Sequence, residues 1–233
     1  MSDASYITRR GELETYFDRT AADAWKTLTS DAPVGRIRAT VRAGRDTMRD
    51  TLLSWLPSDM RGLRLLDAGC GTGSFAIIAA QRGAHVVAID VSPTLVELAD
   101  ERASATPGCS AIEFHVGDML NPSLGKFDYV VAMDSLIHYE GSDIASSLAS
   151  LAHRTSGAIL FTVAPRTPAL TLMHAAGKLF PRGNKSPAIV PITSRDLIGK
   201  LKANANLSNW TIKQERLISS GFYKSLAMEF ARQ

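Results

Sequence analysis

One segment of this chain limits its possible folds more than any other: an apolar run that ends in an acidic residue and three alternating glycines. It extends from Leu65 to Gly73 and has the sequence Leu-Leu-Asp-Ala-Gly-Cys-Gly-Thr-Gly. Glycine lacks a Cβ and tolerates positive φ, so a small molecule can approach the main chain where a strand leads into a helix. The segment therefore predicts a strand, a cofactor-binding turn and a helix.

After Leu63, short runs rich in β-branched residues alternate with helical stretches. Ser92 and Pro93 have the pattern of an N-cap followed by proline in the first turn, and another helix is predicted from about Asp143. This alternation is typical of a doubly wound α/β fold, in which helices cover both faces of a parallel sheet. Strands are predicted near 63–67, 85–90, 112–117, 127–133, 158–163, 210–218 and 223–230.

Two segments fall outside the alternation. Residues 1–56 are predicted to form an N-terminal helical cap, because apolar residues recur there at helical spacing. The segment 164–209 contains five prolines and an apolar run, and a segment of that size is more typical of a lid over a site than of a linker. We therefore predict a cap, 1–56, and a catalytic domain, 57–233, that includes the lid 164–209.

Composition restricts the class of protein. The 233 residues, 45% of them hydrophobic, can bury a full core, and we find neither an apolar stretch of about 20 residues nor the apolar core of a signal peptide. The only cysteines are Cys70 and Cys109, which argues against a disulfide framework or a metal cluster. The expected protein is soluble and cytoplasmic.

The charge is unevenly distributed along the chain. Residues 57–165 contain 6 lysines and arginines against 12 acidic residues, whereas residues 166–233 contain 11 against 3. A basic last third is compatible with a surface that faces an anionic substrate, partner or membrane, and equally with a solvated surface.

A second acidic residue suggests what the glycine turn binds. Asp90 closes the second predicted strand, 21 residues after Gly69, a spacing at which a carboxylate meets ribose hydroxyls. The dinucleotide fingerprint requires a glycine three positions after Gly71, where this chain has Ser74. With Gly117-Asp118-Met119 at a later strand end, the pattern resembles the class I S-adenosylmethionine-dependent methyltransferases.

That resemblance implies a Rossmann-like fold, with a mostly parallel seven-stranded sheet and an antiparallel C-terminal strand. It also implies that S-adenosylmethionine is the co-substrate. A plain alternative for Asp118 and Asp134 is that each caps a turn at a strand end. The implied cofactor-binding residues are Asp67, Gly69, Cys70, Gly71, Gly73, Asp90, Val91, Asp118, Met119, Met133 and Asp134.

Over nearly its whole length the chain also resembles a narrower family, the magnesium-protoporphyrin IX O-methyltransferases. The motifs that carry this resemblance lie at 16–25, 41–45, 134–139 and 179–187. The family resemblance implies esterification of one propionate of magnesium-protoporphyrin IX in (bacterio)chlorophyll biosynthesis, with magnesium present only as part of the substrate. Alanines at positions 21, 22 and 24 depart from the family's usual cap sequence.

The acceptor site is predicted from fewer residues. We hypothesise that His138 and Tyr16 hold the reacting carboxylate or take its proton, although either could be structural. Arg38, Arg42, Arg45 and Arg49 share one helical stripe, and the first three are the predicted substrate-binding residues. A solvated arginine surface, or docking to an acidic partner, would give the same stripe.

The expected partners of the chain follow from the same family resemblance. The family resemblance implies contact with the porphyrin-carrying subunit of magnesium chelatase and peripheral contact with photosynthetic membranes. Nucleic acid is disfavoured, because the segment after the fourth strand lacks the Asn/Asp-Pro-Pro-aromatic element of nucleic-acid amine methyltransferases. The alternatives are methylation of another flat apolar substrate and an inactive donor-binding module; a dinucleotide oxidoreductase is disfavoured by Ser74.

Overall fold

The computed structural model describes residues 3–19, 35–166 and 188–233. Short 3₁₀ turns at Pro122–Leu124, Leu136–His138 and Ala205–Leu207 connect some of the regular elements. The described helices are α1 Asp3–Arg19, α2 Arg36–Ser54, α3 Ser74–Gln81, α4 Pro93–Ser104, α5 Gly141–Ala152 and α6 Ser194–Ala203. The strands are β1 Arg64–Ala68, β2 His85–Asp90, β3 Ile112–Val116, β4 Phe127–Ala132, β5 Thr155–Val163, β6 Trp210–Ser220 and β7 Tyr223–Arg232.

The strands form a single seven-stranded sheet in the order β3-β2-β1-β4-β5-β7-β6. Strands β1 to β5 pair in parallel, and β7 lies antiparallel between β5 and β6. This arrangement confirms the predicted fold class. The order reverses between β1 and β4, and open α/β sheets bind ligands beyond the carboxyl ends of the strands at such a reversal.

Core residues lie on both faces of the sheet, because successive side chains of a strand point in opposite directions. Leu66 and Val130 belong to one buried cluster, and their neighbours Leu65 and Val131 belong to the other. We call these the α1 face and the α2 face, after the N-terminal helix that packs on each. Strands buried on both sides give the near-continuous apolar runs seen in the sequence.

The N-terminal segment does not pack as one unit. Leu13 of α1 is buried on the α1 face, whereas Met48 and Leu52 of α2 are fully buried on the α2 face. Helix α1 starts at Asp3, earlier than the apolar spacing suggests. The two cap helices therefore belong to opposite faces of the sheet, and the division of the chain into domains stays a prediction.

The predicted lid segment also divides. Its later part contains α6, whose Leu197 and Leu201 are buried in the α1-face core, so residues 194–209 belong to the helical layer rather than to a lid. Residues 167–187, including Phe180 and Pro181, lie outside the described residues.

Helix starts follow the local sequence. The Ser92 side chain accepts a hydrogen bond from the Leu95 amide, which confirms the predicted N-cap of α4. Within the described ranges, no helix is both long and apolar enough to cross a bilayer.

Candidate active site

A cavity opens at the carboxyl ends of β1, β2 and β4, where the strand order reverses. Its empty volume, including the part open to solvent, is about 930 Å³. The glycine turn and the end of β2 form what we call the loop wall (Asp67, Gly69–Thr72, Asp90 and Val91). The N-terminal helices form the cap wall (Tyr6, Leu13, Phe17 and Arg45), and Met133–Ser135 with His138 line the space between them.

The glycines of the loop wall have different uses. The amides of Gly69 and Cys70 both donate to the Ile89 carbonyl, which fixes the turn against β2. Gly69 has a φ of 85°, and a Cβ built there would lie 2.5 Å from the Ser135 Cβ. Gly71 has a φ of 53° and open space where its Cβ would be. The first glycine therefore permits close packing, and the second leaves the main chain accessible to a ligand.

Gly73 lies beyond the cavity lining. It is the left-handed residue before α3, and a Cβ there would lie 3.0 Å from the Ala99 Cβ. The structure therefore gives Gly73 a packing position between α3 and α4.

Asp67 presents a buried carboxylate to the cavity. The residue is 2% exposed, and its Oδ2 has no hydrogen-bond partner among the described residues. Burial is the largest influence on this group and, with a smaller contribution from the Asp90 charge, raises its pKa to about 7; the Ala76 amide partly opposes the shift. A buried acid with an unpartnered oxygen is suited to a cationic or hydrogen-bond-donating ligand group.

Asp90 both shapes the turn and faces the cavity. Its Oδ2 accepts from the Gly71 amide at 2.9 Å, and its Oδ1 accepts from the Ser92 amide at 3.0 Å. Burial raises its pKa, while these amides act in the opposite direction. A carboxylate can accept about four hydrogen bonds, so each oxygen can still accept one from a vicinal diol.

Asp118 serves a contact that the sequence does not reveal. Its carboxylate accepts from the Tyr6 hydroxyl at 2.7 Å, from Arg10 Nη1 at 2.6 Å and from the Leu120 amide at 2.9 Å. Asp118 does not line the cavity, whereas the neighbouring Met119 does. In this structure Asp118 fastens α1, and the predicted adenine contact stays a prediction.

Asp134 is the centre of a buried polar cluster. It has a φ of 55°, a left-handed conformation that aspartate adopts more readily than most residues. Tyr223 donates to both carboxylate oxygens at 3.0 and 3.1 Å, and Arg45 Nη1 lies 3.1 Å from Oδ2. Thr162 and Ser225 also donate to Oδ1. The start of the 134–139 segment is thereby joined to β5, β7 and α2.

The structure places His138, but not Tyr16, at the cavity. His138 is 6% exposed, and its Nδ1 lies 3.4 Å from the Ala188 carbonyl oxygen. Because a carbonyl oxygen only accepts, Nδ1 carries the hydrogen in this contact and Nε2 holds the lone pair of the neutral ring. Burial lowers the pKa of His138, which favours that neutral form. Tyr16 is half-buried with its ring against Phe17, outside the lining.

Of the predicted substrate arginines, only Arg45 lines the cavity. Arg38 is exposed, and Arg42 is half-exposed away from the lining. Arg49, one turn after Arg45, pairs with Asp46 and Asp50 on its own helix. Equal spacing along a helix therefore does not give these arginines equal access to the site.

Several lining aromatic residues were missed from the sequence. Tyr6 and Tyr139 stack with ring centroids 4.9 Å apart, and Phe17 lies edge-on to His138 at 6.0 Å. Tyr139 and Phe17 could have been found from the sequence, because they lie next to His138 and Tyr16 in motifs described above. Tyr6 could not be found in this way, because it lies in a polar segment and its hydrogen-bond partner Asp118 is 112 residues away.

Comparison with known proteins gives relatives that match nearly the whole chain. The chain is 48% identical over 228 residues to the magnesium-protoporphyrin O-methyltransferase of Rhodobacter capsulatus, a match that covers 97% of this chain and 98% of the relative. It is 32% identical over 225 residues to the protein of the same name from Synechocystis sp., covering 94% and 95%.

Family models and a solved structure agree with these relatives. The model described as "Magnesium-protoporphyrin IX methyltransferase C-terminus" matches residues 132–232, and a general methyltransferase domain model matches 65–156. The crystal structure of magnesium protoporphyrin IX methyltransferase from Synechocystis PCC 6803 with bound SAH superposes with a TM-score of 0.83 at 29% identity. That match covers 96% of this chain and 99% of the other.

Proposed function

We propose, because the chain belongs to the magnesium-protoporphyrin IX O-methyltransferase family, that it transfers the methyl group of S-adenosylmethionine to one propionate of magnesium-protoporphyrin IX. The product is the monomethyl ester of (bacterio)chlorophyll biosynthesis. The observation that carries this proposal is the 48% identity to a relative of that name over 97% of the chain. The glycine turn, His138 and Arg45 line one and the same cavity, which supports the proposal.

The loop wall has the chemistry that S-adenosylmethionine requires. Asp67 offers a buried, unpartnered oxygen to the ammonium of the methionine part. At Gly71, where a Cβ would meet open space, the main chain is open to close approach by the co-substrate. Asp90 can accept from both ribose hydroxyls, and Val91 and Met119 provide apolar contacts for the adenine ring. When bound, the co-substrate supplies a methyl group on a sulfonium sulfur, and formation of the ester C–O bond with breakage of the C–S bond cancels one positive and one negative charge.

The acceptor needs alignment more than activation. A propionate has a pKa near about 4.3, so at neutral pH it is already a nucleophile. Nε2 of neutral His138 carries a lone pair, so it can form a hydrogen bond with the acceptor carboxyl group only when that group carries a proton. Desolvation raises the pKa of the acceptor and favours this protonated form, from which His138 can take the proton. Alignment of two bound reactants can lower a barrier by about 7 to 11 kcal/mol in favourable cases.

Tyr16 remains a proposed second catalytic residue. Its ring packs against Phe17, which in turn contacts His138. Its hydroxyl must reach the cavity when substrate is bound for this role to hold. A Tyr16→Phe variant with an unchanged turnover number would remove it from the mechanism.

We further propose that the porphyrin-carrying subunit of magnesium chelatase is a partner of this chain. We also propose that the chain is a cytoplasmic protein that contacts the photosynthetic membrane peripherally. Family membership and the basic last third support this, and the exposed cations there include Arg195, Lys200, Lys202, Lys213 and Arg216. An electrostatic contact should weaken as salt rises to about 0.5 M. If the amount of protein that sediments with anionic vesicles, or with the purified subunit, does not change with salt, the contact is not electrostatic.

The proposed reaction is tested by initial rates with labelled donor and a panel of acceptors. The panel contains magnesium-protoporphyrin IX, a flat aromatic acid and a catechol. The expected result is a much higher kcat/KM for the magnesium porphyrin. Preference for the catechol or the small acid would identify another O-methyltransferase, and donor binding without turnover on any acceptor would identify an inactive binding module.

A further inference from the structure

Two polar groups of the cavity come from opposite faces of the sheet. Arg45 lies on α2, whose buried residues Met48 and Leu52 belong to the α2-face core. His138 lies between Leu136 and Tyr139, which are buried in the α1-face core. Both side chains line the same cavity. A substrate that contacts both groups therefore lies between side chains carried by elements that pack on different faces of the sheet.

The Arg45 side chain is held by its surroundings. Its partner Asp134 has a side chain only 6% exposed, and Tyr223, Ser225 and Thr162 donate to that carboxylate. The helix itself is pressed against the same cluster, since a Cβ on Gly44 would lie 2.5 Å from the Tyr223 ring. A guanidinium held in this way has little rotamer freedom left to lose on binding an anion.

The pairing with Asp134 is compatible with a second carboxylate. A guanidinium has five N–H donors in one plane and can engage carboxylates on more than one edge. The Arg45 side chain is 20% exposed and lines the cavity, so it remains accessible to a ligand. The cluster of Asp134, Tyr223, Ser225 and Thr162 thus presents an oriented cation to the cavity that His138 also lines.

We propose that Arg45, positioned by Asp134, binds the porphyrin propionate that is not methylated. This inference rests on the proposed function, in which the other propionate reacts near His138. A guanidinium on the reacting carboxylate would withdraw electron density from the nucleophile, whereas on the second carboxylate it adds binding without that cost. Because the two propionates lie on one edge of the macrocycle, one can be placed near each group.

This role makes Arg45 a determinant of specificity. A second methylation would require the monoester to bind in the reverse orientation, with its ester group facing Arg45. An ester is neutral and cannot form the charge-assisted contact that a carboxylate forms. Arg45 therefore selects the diacid as substrate and disfavours formation of the diester.

The test compares two substrates with matched variants. The substrates are magnesium-protoporphyrin IX and its synthetic monomethyl ester in which only the propionate normally methylated is free. The wild type should show a kcat/KM at least about tenfold higher for the diacid, as expected for loss of one charged contact. Arg45→Met should lower the diacid value by about tenfold or more and leave the ester value within about twofold.

Arg49→Met is the control, because Arg49 pairs with Asp46 and Asp50 on the same helix and does not line the cavity. Arg49→Met should leave unchanged the ratio of the kcat/KM value for the diacid to that for the monomethyl ester. Asp134→Asn, which removes the charge that orients Arg45, should reduce the ratio in the same direction as Arg45→Met. Prolonged incubation of the monoester product with Arg45→Met should give more diester than the wild type gives.

Each other outcome overturns the inference. An equal loss of kcat/KM on both substrates in Arg45→Met would show that Arg45 contacts the reacting carboxylate or contributes to folding in general. No loss on either substrate would show that Arg45 does not take part in substrate recognition. The S-adenosylmethionine dissociation constant and the melting temperature identify a folded variant; if Arg45→Met fails that check, Arg45→Lys must show the same substrate-dependent loss. A wild type that esterifies neither substrate would instead overturn the proposed function.

Discussion

The two walls of the cavity use their acidic residues differently. In the loop wall, Asp67 keeps a buried oxygen without a partner among the described residues, and Asp90 accepts hydrogen bonds from the main-chain amides of Gly71 and Ser92. In and beside the cap wall, Asp118 and Asp134 are paired with side chains of the N-terminal helices, Tyr6 and Arg10 for the first and Arg45 for the second.

The difference indicates separate tasks. Open polar groups at the loop wall are suited to a ligand and are built from neighbouring residues, so that wall forms once β1 and β2 pair. The acids near the cap wall hold α1 and α2 in place across the fold. Changes to the loop wall should therefore alter donor binding first, and changes near the cap wall should alter the placement of the acceptor or of the helices.

The largest expected effect comes from closing the loop wall. Gly69→Ala places a Cβ 2.5 Å from Ser135 at a φ of 85°, so the turn must move. We expect donor affinity to fall by on the order of 100-fold, with a loss of about 1–3 kcal/mol in stability from the strained backbone and the clash. Isothermal titration and chemical denaturation measure both quantities.

Gly62→Ala is its control, since Gly62 has a φ of 78° but no atom within 4 Å of the added Cβ. It should cost stability without weakening donor binding. Unchanged donor affinity in Gly69→Ala would show that the turn does not contact the co-substrate.

The next effect separates chemistry from donor binding. His138→Ala should lower kcat by on the order of 100-fold, because it removes the group that holds or deprotonates the acceptor, while donor affinity changes by less than about twofold. Single-turnover rates and donor titration provide the two numbers. His153→Ala, at an exposed position after α5, is the matched control. Undiminished turnover in His138→Ala would leave His138 a structural residue.

A smaller effect should appear in the pH dependence of donor binding. Burial raises the Asp67 pKa to about 7, so the free protein holds the neutral acid below that pH and the carboxylate above it. An ammonium prefers the carboxylate, and donor affinity should rise by up to about tenfold between pH 5.5 and 7.5, with proton release on binding at the lower pH. Titration in two buffers of different ionisation enthalpy detects that proton. A pH-independent affinity, unaltered in Asp67→Asn, would exclude Asp67 as the partner of the ammonium.

The smallest effect concerns the attachment of α1. Tyr6→Phe removes the hydroxyl that donates to Asp118, which should cost about 1–2 kcal/mol and weaken donor binding by about fivefold, because Tyr6 also lines the cavity. Thr8→Val, whose lost hydroxyl bonds only locally to the Ala4 carbonyl, serves for comparison. Tighter donor binding in Tyr6→Phe would show instead that Tyr6 competes with adenine for Asp118.

Local chemistry explains which features could be predicted from the sequence. Strand positions, the Ser92 cap and the seven-stranded fold were confirmed, because alternation, capping and glycine turns depend on neighbouring residues. His138 was placed at the cavity because it follows a strand end at the reversal of strand order.

Long-range packing explains the rest. Arg38 and Arg45 are alike in sequence pattern, but only the second lies beside Asp134. Similarly, Tyr6 lines the cavity and Tyr16 does not, since the docking of α1 depends on contacts with Asp118 and Tyr139 far along the chain. The predicted lid failed over 194–209 because proline content marks a break in regular structure, whereas the burial of Leu197 depends on its neighbours in space.

The most direct test of the account is the mass of the product formed by the wild type from methyl-deuterated S-adenosylmethionine and magnesium-protoporphyrin IX. The expected product is a porphyrin that has gained one labelled methyl group as an ester and retains one free carboxylate. A porphyrin of unchanged mass, in a protein shown by titration to bind both compounds, would contradict it.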